Sequence, residues 1–227
     1  MKKEKKECYQ LIDLGSGEGK FADWAKGVFG FESILCIEKE GACRDAVLKR
    51  GFSFKQGDVL KPRTLAGLRS DFVTLSHFLE HLPEMKDTER VLRRVVKIAR
   101  KGIVVSTPVW DCDSVLRLIG ARFYWSEWAD HTAKITAVEL NEVAKKLGWN
   151  YKLFASGFLS KLTDREICRV DSPSGVGPGE NVITMEYKFR PCLFSAATLL
   201  MWQGEIPKEF SNYLLSDSHH LIWEGGD

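Results

Sequence analysis

The segment Leu11-Ile12-Asp13-Leu14-Gly15-Ser16-Gly17-Glu18-Gly19 constrains the fold more than any other part of the chain. An apolar run meets an acidic residue, glycine then takes every second position, and a helical pattern starts at Lys20. That order reads as strand, tight turn and helix. Glycines in such a turn adopt backbone angles closed to most residues and let main-chain N–H groups approach a ligand directly. The N-terminus of the following helix favours a negative group such as a carboxylate. The spacing is Gly-x-Gly-x-Gly, not the Gly-x-Gly-x-x-Gly of a dinucleotide pyrophosphate site, which argues against a nicotinamide-dependent oxidoreductase.

The rest of the first two-thirds repeats the alternation. Strand patterns fall at Tyr9–Leu14, Ser33–Ile37, Phe52–Gln56, Phe72–Ser76, Ile103–Ser106 and Tyr151–Ala155. Helical patterns fall between them at Lys20–Gly27, with Phe21, Trp24, Ala25 and Val28 on one side, and at Ala42–Lys49, Asp87–Arg100 and Thr136–Leu147. Leu153–Ser160 and Val182–Trp202 have room for a final antiparallel pair. The expected class is α/β, a Rossmann-like doubly wound, mostly parallel sheet with a final antiparallel strand. In such sheets ligands bind at the carboxyl ends of the strands.

The polar residues at those ends form a series. Strand one ends at Asp13 and the glycine turn, and strand two ends at Glu38-Lys39, about 20 residues further on, where an acid accepts the hydroxyls of a ribose. Strand three leads to Gly57-Asp58-Val59, placing an acceptor for an exocyclic amine beside an apolar contact for a ring. Strand four ends in Ser76-His77-Phe78-Leu79-Glu80-His81, which supplies groups for the reaction centre.

Asp13-Leu-Gly-Ser-Gly-Glu-Gly19, Ile37-Glu38, Gly57-Asp58 and Asp71-Phe-Val-Thr-Leu-Ser-His-Phe-Leu-Glu-His-Leu82 resemble the ordered motifs of class I S-adenosylmethionine-dependent methyltransferases. Val104-Val-Ser-Thr-Pro108, Asp130-His131 and the helix from Thr136 to Leu147-Gly148-Trp149 resemble those of one large subgroup of small domains, marked by Glu-His-Leu and Ser-Thr-Pro. The resemblance covers residues 9–150. It implies that Asp13, Gly15, Ser16, Gly17 and Gly19 hold the methionine portion of S-adenosyl-L-methionine, Glu38 and Lys39 the ribose, and Asp58 and Val59 the adenine. Ser76 and His77 would lie beside the sulfonium. The expected organisation is one methyltransferase domain over 1–227, with a cofactor-binding core at 9–150, an aromatic lid or substrate loop at 110–130, and C-terminal strands with a substrate-side appendage at 151–227.

The cofactor carries the electrophile, so the protein's task is to align a nucleophile and remove its proton. The candidates are His77, Glu80, His81 and His131, since an unperturbed histidine titrates near pH 6.5 and suits general-base work. An alternative is that Glu80 and His81 cap backbone groups and contact the cofactor. A further alternative treats His77, Glu80, His81 and His131 as metal ligands, an arrangement similar to the Glu-x-x-Glu-His plus distant histidine of small-RNA 2′-O-methyltransferases. Position 77 is His where that family has Glu, and no metal is expected on the leading reading. A third possibility is a non-catalytic cofactor-binding module.

The acceptor is expected to be a small or sugar-like molecule offering O or N, with RNA possible but not favoured. The aromatic stretch Trp110–Asp130 reads either as the substrate wall or as a satellite core under a long loop. Aromatic faces favour a planar, sugar-like or apolar acceptor and also attract cations. No helical cap precedes the first strand, so an open site, a large acceptor, or a partner subunit covering the entrance, as in a homo-oligomer, is expected. Lys and Arg total 33 against 31 Asp and Glu, a net charge of +2 that gives no global nucleic-acid footprint. Arg90, Arg93, Arg94, Lys97 and Arg100-Lys101 form a basic stripe at helical spacing, which reads as a solvated face. The six cysteines lack Cys-x-x-Cys spacing and read as reduced, mostly buried thiols of a cytoplasmic protein. No stretch is suited to membrane insertion. Asp171–Glu180 reads as a flexible loop, and the tail from Ser216 to Asp227 as a strand edge or a frayed terminus with solvated histidines.

Overall fold

The computed structural model describes residues 7–161, 165–181, 183, 188–210 and 220–226. One eight-stranded sheet carries the molecule. Its strands are β1 (Glu7–Leu14), β2 (Ile34–Glu38), β3 (Ser53–Gln56), β4 (Leu68–Ser76), β5 (Ala99–Pro108), β7 (Asn150–Lys161), β9 (Lys188–Trp202) and β10 (His220–Gly225). A separate pair joins β6 (Ala121–Phe123) to β8 (Ile167–Arg169). The order in the main sheet is β10-β7-β9-β5-β4-β1-β2-β3. Strands β1 to β5 run parallel, and the sheet reverses where β9 pairs antiparallel with both β5 and β7. The expected antiparallel strand is therefore present, inserted between β5 and β7, and β10 adds a second antiparallel edge on β7.

Strand periodicity explains why both faces are covered. Ile12 and Leu14 point to one face, where they meet Val91, Leu92 and Val95 of α4 (Met85–Ile98) and Leu140 and Val143 of α6 (Ala137–Leu147). Leu11, Cys36 and Phe72 point to the other, against Ala22 and Ala25 of α1 (Lys20–Phe29) and Val47 of α2 (Arg44–Lys49). Helix α6 starts where expected because Thr136 and Glu139 form a reciprocal capping box, and it stops at Gly148 with φ +69°. Two short helices were not anticipated, α3 (Pro62–Leu65) and α5 (Asp113–Leu118).

Several boundaries differ from the sequence pattern for identifiable reasons. Helix α1 buries Ala22 and Ala25, while Trp24 and Val28 of its predicted apolar side are exposed. Residues 42–49 begin as a 3₁₀ turn, Gly41–Cys43, before α2. Helix α4 ends at Ile98, so Arg100, Lys101 and Gly102 belong to β5. Gly102 is no helix cap: a Cβ there would lie 2.5 Å from the Phe210 ring and 2.9 Å from Phe72. Glycine leaves room for both rings, and Arg100 and Lys101 ion-pair with Asp71. The three arginines of the stripe on α4 are also engaged, Arg90 with Asp87, Arg93 with Glu89, and Arg94 with the carbonyls of Val59 and Leu60.

Residues 110–130 are not bare loop. They hold α5 and β6, and Trp110, Leu116, Phe123 and Trp125 form an apolar cluster with Leu159, Ile167 and Leu193. The stretch therefore packs a core of its own, as the satellite-core reading expects. The loop read as flexible, 171–180, is tied to it. The Arg122 guanidinium, 1% exposed, donates to the carbonyls of Phe123, Tyr124, Ser172 and Pro173 at 3.0–3.1 Å. Trp128 donates to the Val176 carbonyl at 3.4 Å, and Val176 is buried. Cys36, Cys112 and Cys168 are buried, Cys43 is half-buried and Cys8 is exposed. Residues 182 and 184–187, part of the segment read as the last strand, and residues 216–219 and 227 of the tail lie outside the described residues. No helix among the described residues is long and apolar enough to cross a membrane.

Candidate functional site

The carboxyl edge of β1–β4 opens on a cleft of about 690 Å³. Gly15, Gly17 and Gly19 turn the chain there with φ of +68°, +49° and +79°. The glycines serve different purposes. A Cβ on Gly15 would sit 2.2 Å from the Phe78 ring, whereas nothing lies within 4 Å of one on Gly17, which borders the open cleft. Gly19 is the residue before α1 and packs near Val47 and Phe52, away from the cleft.

Glu38 closes the turn from the end of β2. Its carboxylate accepts the Gly17 N–H at 3.0 Å and the N–H groups of Lys39 and Glu40 at 2.6 and 3.1 Å. Gly15, Gly17, Glu38, Lys39, Asp58 and Val59 all line the cleft, with His77 and His81 at one end. Asp58 holds its own loop by accepting the Leu60 N–H at 2.8 Å. Phe78, from the Ser76–His81 run, also lines it, as does Thr132. Thr132 carries no pattern in sequence, since it reaches the cleft only through tertiary packing.

Asp13, Ser16 and Ser76 do not line the cleft. Asp13 lies beneath the turn, 1% exposed, and takes the Thr74 hydroxyl on Oδ1 at 2.7 Å. Its Oδ2 is buried with no hydrogen-bond partner among the described residues. Burial, with Glu38 nearby, pushes its carboxyl up to about 7 despite the Thr74 bond. Ser16 is buried as well, and Ser76 ends β4 in register with Ser106.

A second cavity of about 300 Å³ adjoins the first. His77 and His81 line both. Its remaining walls are Glu80 and His131, Tyr124, Trp125 and Trp128 of the aromatic stretch, Glu166, Pro108 of β5, and Ser195 and Ala196 of β9. Glu80 is 1% exposed and accepts the Thr107 hydroxyl at 3.1 Å, with His77 Nδ1 3.4 Å from its other oxygen. That hydrogen bond to Glu80 holds the His77 imidazole above its ordinary pKa. His81 Nδ1 lies 3.1 Å from the Asp130 carbonyl. The His131 ring sits 5.0 Å from His81 and 5.1 Å from Trp128. Burial pushes its pKa below the ordinary value, and its Nδ1 has no partner among the described residues. The four residues expected to act chemically therefore converge, through a 3₁₀ turn at Leu79–His81 and a backbone bond from Ala133 N–H to the Glu80 carbonyl at 3.0 Å. Glu80, His81 and His131 each offer a ligand atom within 4.8 Å of the others. Glu166 was missed because the segment around it has no periodicity or motif.

Residues 2–152 match the family described as a methyltransferase domain. No curated protein matches the chain. Among solved structures, the chain is similar to a SAM-dependent methyltransferase from Archaeoglobus fulgidus, at 20% identity over 88% of each chain with a TM-score of 0.60. It is also similar to a magnesium protoporphyrin IX methyltransferase from Synechocystis with bound SAH, at 11% identity over 86% of this chain and 74% of that one, TM-score 0.53. A small RNA methyltransferase aligns at 18% identity over 98% of this chain but only 26% of its own, TM-score 0.54. The cleft fits the cofactor of such enzymes: two positive-φ glycines, Gly15 and Gly17, border it, and an acid closes the second strand. The chain belongs to the methyltransferase domain family and has the fold of SAM-dependent methyltransferases of known structure.

Proposed function

We propose that the larger cleft holds S-adenosyl-L-methionine and the smaller cavity holds a small acceptor whose oxygen or nitrogen is methylated where the two meet. The observation that carries this is the shared wall, since His77 and His81 border both cavities. When bound, the cofactor supplies an electrophilic methyl group on a sulfonium. Gly15, Gly17, Glu38, Lys39, Asp58 and Val59 would bind it along the cleft. Asp13 and Ser16 would support the turn from beneath. His131, kept neutral by burial, would receive the acceptor's proton, and Glu80 would fix His77 at the junction. The aromatic lid would exclude water and orient the acceptor, which is the main protein contribution to a displacement of this kind.

The test is to narrow the smaller cavity from its β9 wall with Ala196→Phe. S-adenosylhomocysteine binding is expected to hold while its production with a panel of small hydroxyl and amine acceptors falls at least about tenfold. A variant as active as the wild type would place the acceptor elsewhere.

A second reading rests on one specific observation, the convergence of Glu80, His81 and His131. One carboxylate and two imidazoles suit a divalent transition metal, which would lower the pKa of a bound ribose hydroxyl. Mn²⁺ would then raise the melting temperature of the wild type but not of His81→Ala combined with His131→Ala, and an equal response of both proteins would discard the metal.

A further inference from the structure

The smaller cavity holds a carboxylate that neither the turn chemistry nor the proton-transfer groups use. Glu166 lies half-buried between the long strand β7 and the lid strand β8. One of its oxygens accepts the Trp125 indole N–H at 3.3 Å, and its backbone carbonyl takes the Tyr124 N–H at 3.0 Å. No lysine or arginine among the described residues pairs with it or lines the cavity. The basic residues of the lid are engaged elsewhere: Arg117 with Asp113 and Glu127, and Arg122 with four backbone carbonyls. Glu80, by contrast, is already held by Thr107 and His77.

Three aromatic side chains stand around the same space. Tyr124 and Trp128 meet edge to face with centroids 5.4 Å apart, and Trp125 stacks on Phe123 at 4.7 Å. Burial and the Glu166 charge together hold the Tyr124 phenol above its ordinary pKa, so it stays a neutral ring. Aromatic faces attract a cation electrostatically, more strongly when water is excluded. A carboxylate taken partly out of water is costly unless a positive group compensates it. The one positive influence on Glu166 from the cavity wall is the His77 imidazole, which Glu80 first and Glu166 after it hold above its ordinary pKa; an uncharged planar acceptor would use the rings and add nothing to that.

We propose that the acceptor carries a cationic nitrogen, and that Glu166 with Tyr124, Trp125 and Trp128 is the residue set that selects it. The inference rests on the reading of this cavity as the acceptor pocket. It makes Glu166 a specificity residue: it anchors the acceptor by charge from the same cavity wall that His77 and His81 share with the cofactor cleft.

The experiment compares benzylammonium with benzyl alcohol, which share a ring and differ in charge, as probes of the full chain saturated with S-adenosylhomocysteine and held in EDTA. Tryptophan fluorescence reports binding. Benzylammonium is expected to bind at least about tenfold more tightly than benzyl alcohol. Glu166→Gln is expected to abolish that preference without altering S-adenosylhomocysteine affinity or the melting temperature. Benzylammonium that fails to saturate, or that binds no better than benzyl alcohol, overturns the inference, as does a preference that survives in Glu166→Gln. Trp128→Ala separates the two levels: if it weakens neither probe, binding lies outside the cavity and the acceptor-pocket reading fails with it, whereas weakened binding without charge preference removes the cation alone.

Discussion

Replacing Asp13 by Asn is the sharpest probe of the turn. Asp13 is buried beneath the glycines with one oxygen unpartnered, and its carboxyl is pushed up to about 7 from 3.8. Below pH 4 both folded and unfolded chains carry this group protonated, so it contributes no pH dependence. Between about 4 and 7 the unfolded chain ionises and the folded chain does not, so the unfolded state is favoured increasingly as pH rises. Above 7 both are ionised and the loss is constant. Each pH unit in that window is worth about 1.4 kcal/mol, so about 3 kcal/mol of stability is lost between pH 5 and 7 through this residue alone. Asn keeps the shape and an acceptor for the Thr74 hydroxyl but cannot ionise. Urea unfolding of wild type and Asp13→Asn at pH 5, 6, 7 and 8 isolates the effect, because every other titration cancels in the difference. The variant's advantage should grow from pH 5 to 7 and then level off. Parallel stability curves would show that Asp13 ionises freely in the fold and would refute the reasoning.

Glu38→Ala removes the acceptor of the Gly17, Lys39 and Glu40 N–H groups, and calorimetry should show S-adenosylhomocysteine bound at least about tenfold more weakly; unchanged affinity would remove Glu38 from the cofactor site. Gly15→Ala puts a Cβ against Phe78 at a φ of +68° and should cost about 2 kcal/mol or more in urea unfolding, whereas Gly17→Ala, with free space around it, should cost only the backbone strain of about 1 kcal/mol. Equal losses would mean that Phe78 yields easily. Arg122→Leu takes the guanidinium from four carbonyls, among them those of Ser172 and Pro173, and should make residues 171–180 the first site cut in limited proteolysis, while the sheet core stays protected. Cleavage at the wild-type rate would show that Val176 and Trp128 hold the loop unaided.

What was legible in the sequence is what local physics determines. The turn at Gly15–Gly19 requires angles that glycine alone takes readily, so it shows in the letters. The acids Glu38 and Asp58 were placed by strand ends that hydrophobic runs already marked, and both line the cleft. The Thr136–Glu139 box fixed a helix start to the residue. Misreadings occurred where a distant residue decides. Gly102 looks like a helix stop until Phe72 and Phe210 are seen to need its space. A loop rich in glycine, serine and proline looks free until the Arg122 guanidinium reaches it. Glu166 gained meaning only when the β6–β8 pairing set it beside Trp125.

His77 ties these observations together, because it is strained at the junction of the two cavities. Its φ is +49°, a conformation that costs a residue other than glycine about 1 kcal/mol or more. The chain leaves β4 there and reverses at once, which brings Glu80 under Thr107 one turn later. The His77 N–H to Ser106 carbonyl bond, 2.8 Å, holds the bend from β5. Glycine would meet the same bend without strain, so the fold alone gives no reason for an imidazole exposed at this point. His77→Gly should therefore unfold at higher urea concentration than the wild type, by about 1 kcal/mol, while turnover falls. A variant destabilised by a similar amount would show that the imidazole's contact with Glu80 outweighs the strain, and position 77 would then be explained by the fold without reference to the reaction.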